Sequence, residues 1–157
     1  MKLQLYTYKC KNCDNTFEAA ELPGEPYGEF LLRSNDDVTY LMALDSNEFK
    51  EFFQILESLP QLKGLDRMEY AKIMHKIFGV ACDLALDGTM YQITNSPRCP
   101  HCKSHNMASW MPSNPPALVD EEVKMVTYKH WDKLSYDEKK ELINNALKML
   151  QNVNSMQ

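Results

Sequence analysis

Apolar and polar residues alternate in the segment KLQLYTYKC near the start of the chain, and alternation of this kind predicts a β-strand. After a short turn, the segment TFEA resumes the pattern with an aromatic residue, so the two segments predict a hairpin. The segment EFLLRSNDDVTYLMAL predicts a second hairpin, with Asn35, Asp36 and Asp37 at its turn. The segment ELPGEPYGEF, rich in proline and glycine, is typical of a connector between the two hairpins.

The middle of the chain changes to helical spacing. Asp45 and Glu48 have the spacing of a capping box, and Pro60 predicts the end of the helix that they begin. Asp66 and Glu69 repeat the start signal for a second helix. The apolar stripe of the first helix comprises Phe49, Phe52, Phe53, Leu56 and Leu59, and that of the second comprises Tyr70, Ile73, Met74, Ile77, Ala81, Leu84 and Ala85.

Two glycines bear on the length of this second helix. Gly88 is a suitable terminator, so the pattern predicts that the helix continues close to it. Gly79 lies inside the run and costs about 1 kcal/mol relative to alanine, which allows a break there.

The last third of the chain combines strand-like segments with one helix. The segments MASWM and VKMVTY have strand character, and the proline-rich segment MPSNPPALVDEE predicts a connector between them. Ser135 and Glu138 form a capping box for a C-terminal helix, which Trp131 and Leu134 are expected to fix to the body. The predicted apolar stripe of this helix comprises Leu142, Ala146, Met149, Leu150 and Val153.

Length and charge restrict the class of protein. A chain of 157 residues fits one globular domain. The formal net charge of −5 disfavours a protein whose main task is to hold nucleic acid through its phosphates. The sequence shows neither a run of about 20 apolar residues nor an export signal. We therefore expect a cytoplasmic protein that does not enter a membrane.

Two Cys-x-x-Cys pairs carry the clearest chemistry in the sequence. Cys10 and Cys13 follow the first strand, and Cys99 and Cys102 lie in the segment SPRCPHCKSHN. Two intervening residues let the backbone turn so that both sulfurs reach one ion, and four thiolates select zinc or iron. Without an export signal, such pairs indicate metal ligands before disulfides. We call the turns at residues 10–15 and 99–104 the first and second knuckles.

The segments YTYKCKNCDNTFEA and CPHCKS together resemble a zinc ribbon, and most closely the FmdB-type regulatory zinc ribbons. The resemblance implies one zinc ion held by Cys10, Cys13, Cys99 and Cys102. Two features depart from that family, which usually has glycine directly after each pair where this chain has Asp14 and Lys103. Asp tolerates the left-handed backbone conformation better than Lys does. The second departure is the spacer, since residues 14–98 separate the two pairs.

Other candidate ligands have simpler explanations. Cys82 and His75 are seven residues apart on the predicted second helix, which is a rise of about 10 Å, so they do not chelate one ion. We expect Cys82 to be a small buried residue. His105 has ligand spacing from Cys102, but with four cysteines available a surface or supporting position is favoured.

The knuckles carry a concentration of positive charge in an otherwise acidic chain. The residues of this basic tip are Lys9, Lys11, Arg98, His101, Lys103 and His105. Charge compensation for a metal site of net −2 accounts for it. The alternative is contact with an acidic protein surface or nucleic acid, with Tyr6, Tyr8 and Trp110 as stacking groups.

The sequence as a whole predicts an α+β fold in four parts. Residues 1–21 form the first half of a zinc ribbon, 22–89 a mainly helical insertion, 90–128 the second half of the ribbon with a following strand, and 129–157 a C-terminal helix. We expect a structural zinc site in a non-enzymatic binding or regulatory protein with a protein partner. The alternatives are a rubredoxin-like iron electron carrier, which uses the same four-thiolate geometry, and a nucleic-acid-binding ribbon.

Overall fold

The computed structural model describes residues 1–93 and 96–155, the side chains of 154 and 155 excepted. The positions at 94–95 and 156–157, which fall within the third and fourth predicted parts, lie outside the described residues. The described residues contain six strands, β1 (Lys2–Cys10), β2 (Thr16–Glu21), β3 (Glu29–Arg33), β4 (Val38–Met42), β5 (Met107–Pro112) and β6 (Leu118–Asp120). The same part of the chain contains three α-helices, α1 (Asn47–Glu57), α2 (Arg67–Ile77) and α3 (Tyr136–Ser155). The predicted α+β class is confirmed.

The first strand is the centre of a four-stranded antiparallel sheet. β2 pairs with one edge of β1, with Tyr8 opposite Phe17. β5 and β6 follow one another along the opposite edge, where Tyr8 faces Trp110 and Leu3 faces Val119. The predicted first hairpin is therefore confirmed, and the sheet brings the start of the chain against residues more than a hundred positions later.

The predicted strand over the segment VKMVTY is wrong, and a short strand forms earlier instead. β6 lies inside the segment predicted as a connector, because Leu118–Asp120 continues the pairing of β1 after β5 ends. Residues 123–128 run beside β4 but bridge it at one position, Tyr40 to Met125. The backbone N–H of Tyr40 donates to the Lys124 carbonyl, and that of Val126 donates to the Tyr40 carbonyl.

The second hairpin, β3–β4, joins the sheet to the helices. Its register pairs Leu31 with Tyr40, and both pack on Leu3 of β1 in a small apolar cluster. At its end, the Arg33 guanidinium donates to the Glu21 carboxylate at 2.8 Å and to the Ala20 carbonyl at 2.9 Å. The predicted turn at Asn35–Asp37 is confirmed.

Helix α1 begins one residue later than predicted. Ser46, not Asp45, is the N-cap, because its hydroxyl accepts the Phe49 backbone N–H at 3.0 Å. Helix α2 has the predicted cap, since Asp66 accepts the Glu69 backbone N–H at 2.9 Å. Serine and aspartate both satisfy backbone donors that the first turn of a helix leaves open.

Helix α2 ends at Ile77, well before the predicted terminator Gly88. The chain tightens into a 3₁₀ turn over Phe78–Ala81, which includes the predicted break at Gly79. A β-carbon at Gly79 would lie only 1.8 Å from the Tyr91 carbonyl oxygen, so the close packing of these two segments requires glycine. Residues 82–88 form an irregular loop, in which Leu84 and Leu86 face solvent rather than the core.

Helix α3 has the predicted capping box in both directions. The Ser135 backbone N–H donates to the Glu138 carboxylate at 3.1 Å, and the Glu138 N–H donates to the Ser135 hydroxyl at 3.2 Å. Its buried stripe is displaced from the predicted one. Ile143 and Leu147 are fully or almost fully buried, whereas Met149 and Val153 are exposed.

The main core lies among the three helices and the 3₁₀ turns. Phe52, Phe78 and Trp131 are completely buried, and their rings contact one another in a chain. Lys139 of α3 donates from Nζ to both carboxylate oxygens of Glu51 on α1, and Glu51 also accepts the Trp131 indole N–H at 3.0 Å. Trp131 therefore anchors α3 to the body, as predicted.

Candidate metal centre

All four predicted ligands meet at the end of the ribbon sheet. The sulfurs of Cys10, Cys13, Cys99 and Cys102 lie within 4.8 Å of one another. The Sγ atoms of Cys10 and Cys102 are 3.4 Å apart, and those of Cys13 and Cys99 are 3.7 Å apart. A tetrahedron with metal–sulfur bonds of about 2.3 Å has edges of about 3.8 Å. The donor set and its spacing therefore fit one tetrahedral ion.

The two knuckles share one backbone design. In the first, the Cys10 N–H donates to the Asn15 carbonyl and the Asp14 N–H donates to the Cys10 carbonyl, at 2.9 and 3.1 Å. In the second, the Cys99 N–H donates to the Ser104 carbonyl and the Lys103 N–H donates to the Cys99 carbonyl, at 2.8 and 2.9 Å. These bonds fix the turn that brings both sulfurs of each pair to the same side.

The positions that are glycine in FmdB-type ribbons have left-handed backbone here. Asp14 has φ of 59° and Lys103 has φ of 66°. Aspartate occupies this region more readily than lysine does, because its short polar side chain bonds locally. The sequence departure is therefore accommodated without changing the turn, and the greater strain lies in the second knuckle.

The four thiols differ in exposure. Cys10 and Cys99, the first residue of each pair, are completely buried, while Cys13 is half-buried and Cys102 is exposed. The backbone N–H and then the side-chain amide of Asn15 lower the pKa of Cys13 to about 6. The Ser104 backbone N–H lowers the pKa of Cys102, but the neighbouring thiols raise it, and their effect is the larger. Four thiolates this close together repel one another, so full ionisation requires a cation between them.

Three polar residues support the cluster and were not identified from the sequence. The Asn15 amide donates to the Cys13 sulfur at 3.3 Å. The Asn12 amide donates to the Ser104 hydroxyl at 3.0 Å and so links the two knuckles directly. Asn15 and Ser104 stand two positions after the second cysteine of each pair, and this repeated small polar residue is the signal that could have revealed them.

The remaining candidate ligands lie outside the cluster. Among the described residues, the four cysteines form the group able to hold a metal ion. The His105 Nδ1 lies 2.7 Å from the Ser96 carbonyl oxygen, so this ring holds the segment that enters the second knuckle. Cys82 is buried in the helical core, and burial raises the pKa of its thiol well above the usual range. His75 lies edge-on to the Phe30 ring with centroids 5.3 Å apart.

The residues of the basic tip divide into paired and solvent-facing groups. Arg98 forms an ion pair with Asp36 at 2.8 Å, which ties the second knuckle to the turn of the second hairpin. Lys9, Lys11 and Lys103 are exposed. Of the aromatic residues predicted to stack, Tyr8 is instead buried, lies against Phe17 and donates to Glu21.

The chain matches no model of a known protein family, no curated protein and no solved structure. The link to zinc ribbons therefore rests on the four-cysteine cluster and its two knuckles, and kinship with FmdB-type ribbons stays a prediction. No helix in the described part of the chain combines the length and apolar character needed to cross a bilayer.

Proposed function

We propose that this protein is a non-enzymatic binding protein whose ribbon is held together by one structural zinc ion. The observation that carries the proposal is the closed set of four sulfurs, of which two are completely buried. A tetrahedral ion with four protein thiolates has no open position for water or substrate, unlike a catalytic zinc with three protein ligands.

Zinc supplies charge neutralisation and four strong bonds at this site. Cys10 and Cys13 would hold it from the first hairpin, and Cys99 and Cys102 from the segment before β5. The Asn15 amide, which donates to Cys13 at 3.3 Å, supports the thiolate form of that ligand. The ion would therefore join two parts of the chain that 85 residues separate.

The insertion and the C-terminal helix, rather than the metal site, would recognise a partner. The two knuckles comprise only residues 10–15 and 99–104, whereas the insertion and the C-terminal helix, residues 22–89 and 129–157, make up most of the chain. The resemblance to FmdB-type ribbons supports a regulatory protein of this kind. Such a protein acts through the surface that the folded insertion displays, and the metal keeps the two ends of that insertion in place.

Elemental analysis with an absorption spectrum, on protein expressed without added metal, tests the proposal. We expect one zinc per chain and no visible absorption band. Cys102→Ser should lower the metal content because it removes a ligand, whereas Cys82→Ser, outside the site, should not. One iron per chain with a reducible visible band would instead make the protein an electron carrier. Protein that contained neither zinc nor iron would remove the basis for the ribbon.

Nucleic-acid binding at the basic tip is a second candidate, favoured by one observation. Trp110 on β5 is 61% exposed, and Tyr6 lines the same groove of the sheet. An exposed indole stacks on bases, and the exposed lysines of the basic tip would contact phosphates. Binding of single-stranded DNA that weakens steeply with salt and is lost in Trp110→Ala would support this candidate. Salt-independent or absent binding would remove it.

A further inference from the structure

The loop after the 3₁₀ turn displays an apolar side chain to solvent on an ordered frame. Leu86 is 102% exposed, the highest value among the large apolar residues that the structure describes. The Ala85 N–H donates to the Thr89 carbonyl at 3.0 Å, and the Gly88 N–H donates to the Ala85 carbonyl at 2.9 Å. The Asp87 carboxylate accepts both the N–H and the hydroxyl of Thr89, at 2.9 and 2.6 Å. These bonds fix the turn, so the exposure of Leu86 is built into it.

The same loop borders a groove of about 320 Å³ against the second hairpin and the segment after β6. Its apolar part comprises Leu86 and Val38, which is 37% exposed. Its charged lining comprises Asp36, Asp37, Asp87, Glu122 and Lys124. The groove therefore combines an apolar anchor point with an excess of negative charge, which Arg98 reduces at Asp36.

The carboxylates of this groove are arranged separately rather than around one point. The Asp37 carboxylate accepts a hydrogen bond from the Tyr91 hydroxyl at 2.5 Å, and Asp36 forms an ion pair with Arg98. Among the described residues, the four cysteines are the group close enough to hold a metal ion, and no carboxylate belongs to it. Separated negative charges fit a ligand with several separated cationic groups better than they fit a single cation.

We propose that this groove docks a short, extended protein segment in which lysine or arginine residues flank an apolar residue. The inference rests on the proposed function, because it names the chemistry of the partner of that binding protein. The apolar residue of the segment would pack on Leu86 and Val38, and its cationic side chains would face Asp87 and Glu122. The negative lining excludes nucleic acid from the same groove.

A second copy of this chain is the less suitable occupant. The positive surface that a copy could offer is the basic tip, which borders the groove through the ion pair between Arg98 and Asp36. Arg98 is therefore already engaged within its own chain. A separate extended segment brings cationic side chains that no carboxylate of this chain holds, so it fits the groove better.

The test uses the full-length metal-loaded protein and a fluorescein-labelled peptide, Gly-Lys-Leu-Lys-Val-Lys-Gly, measured by fluorescence polarisation. We expect saturable binding that weakens with salt, and no binding of the counterpart with glutamate in place of lysine. Leu86→Ser should weaken binding about tenfold or more because it removes the apolar anchor. Glu122→Lys should weaken it by charge reversal and reduce its salt dependence.

Two matched variants control for general effects of charge and apolar surface. Leu118→Ser removes another leucine, 63% exposed, and Glu25→Lys reverses another exposed carboxylate, and both lie outside the groove. We expect both to bind the peptide as the unaltered protein does. In ¹⁵N NMR spectra of this 18.2 kDa protein, peptide-induced shifts should concentrate at residues 36–38, 84–89 and 122–125.

Several results would overturn the inference. These are unchanged affinity in Leu86→Ser, equal binding of the glutamate peptide, shifts that lie elsewhere, or self-association of the protein that Glu122→Lys abolishes. Metal content is measured on the same samples. One zinc per chain without peptide binding would contradict only the docking of a basic segment in this groove. Absence of metal would contradict the proposed function.

Discussion

The ribbon sheet and the helical region are stabilised by different means. The helical region has a continuous apolar core, which includes Phe52, Phe78, Trp131 and Ile143, all completely buried. The ribbon sheet contributes few buried side chains, and five of the six residues of β5 are exposed. Its apolar cluster consists of Leu3 with Leu31 and Tyr40 of the second hairpin.

The difference shows where a metal can take the place of a core. Burying one large apolar side chain contributes about 1.5–3 kcal/mol, so a handful of such residues stabilises a small sheet only weakly. A structural zinc site contributes about 10–16 kcal/mol of apparent binding free energy in small peptides. We therefore expect the ribbon to depend on the metal and the helical region to depend on its packing.

Loss of a metal ligand should have the largest effect, and it should be confined to the ribbon. Cys99→Ser removes a completely buried ligand and should reduce metal content and unfold the sheet, while most of the helical signal in circular dichroism remains. Cys82→Ser is the control, since it alters the fifth cysteine and should keep one metal per chain. Full thermal stability of Cys99→Ser without bound metal would contradict this account.

A cavity in the helical core should produce the opposite result. Phe52→Ala removes a ring that contacts Phe78 and Trp131, and it should cost about 3–5 kcal/mol of unfolding free energy, measured by denaturant titration. Metal content should stay at one per chain. Phe53→Ala, at a half-buried neighbour, should cost less. Loss of metal from Phe52→Ala would show that the two regions fold as one unit.

The attachment of α3 to the insertion should depend on pH through Asp83. Its carboxylate accepts the Thr127 hydroxyl at 2.6 Å and the backbone N–H groups of Lys129 and His130 at 2.9 and 3.0 Å. Burial opposes ionisation, but these hydrogen bonds outweigh it and hold the pKa of Asp83 well below its usual range. Since the folded pKa is the lower one, the stabilisation is present above the unfolded pKa of about 3.9 and declines as pH falls below it.

Asp83→Asn should therefore cost about 2 kcal/mol of unfolding free energy at pH 7, and this difference should shrink below about pH 4. Denaturant titrations at several pH values measure it. Asp132→Asn, at an exposed carboxylate nearby, should change little at any pH. A difference that grows as the solution becomes more acidic would contradict a lowered pKa for Asp83 in the folded protein.

The smallest predicted effect is a gain in ribbon stability. Lys103→Gly relieves a left-handed residue with φ of 66° and should stabilise the metal-loaded ribbon by about 1 kcal/mol. Asp14→Gly should give less, because aspartate tolerates this conformation. Resistance of the bound metal to a competing chelator compares the two variants. A larger gain from Asp14→Gly would reverse the order of strain assigned to the knuckles.

Local chemistry explains what could be predicted from the sequence. The two cysteine pairs, the hairpins beside them and the capping box at Ser135 are encoded in a few neighbouring residues, so they are found without tertiary information. The helix start at Ser46 was missed by one position because Asp45 and Ser46 are both good caps.

Long-range contacts explain what could not be predicted. The apolar stripe through Leu84 suggested that α2 continues, but Tyr91 packs on Gly79 and residues 127–130 bind Asp83, which turns the chain away from a helix. Strand β6 forms because β1 offers a free stretch of edge, and Leu118–Asp120 has little strand signal of its own. Asn12 and Ser104 meet only when the knuckles face each other.

Hydrogen–deuterium exchange with and without a chelator tests the central claim most directly, that metal holds the ribbon and packing holds the helices. Removal of the metal should abolish protection in β1, β2 and β5, while protection in α1, α2 and α3 stays within a few-fold of the metal-loaded protein. Uniform loss of protection across both regions, or no loss in the ribbon strands, would contradict the account.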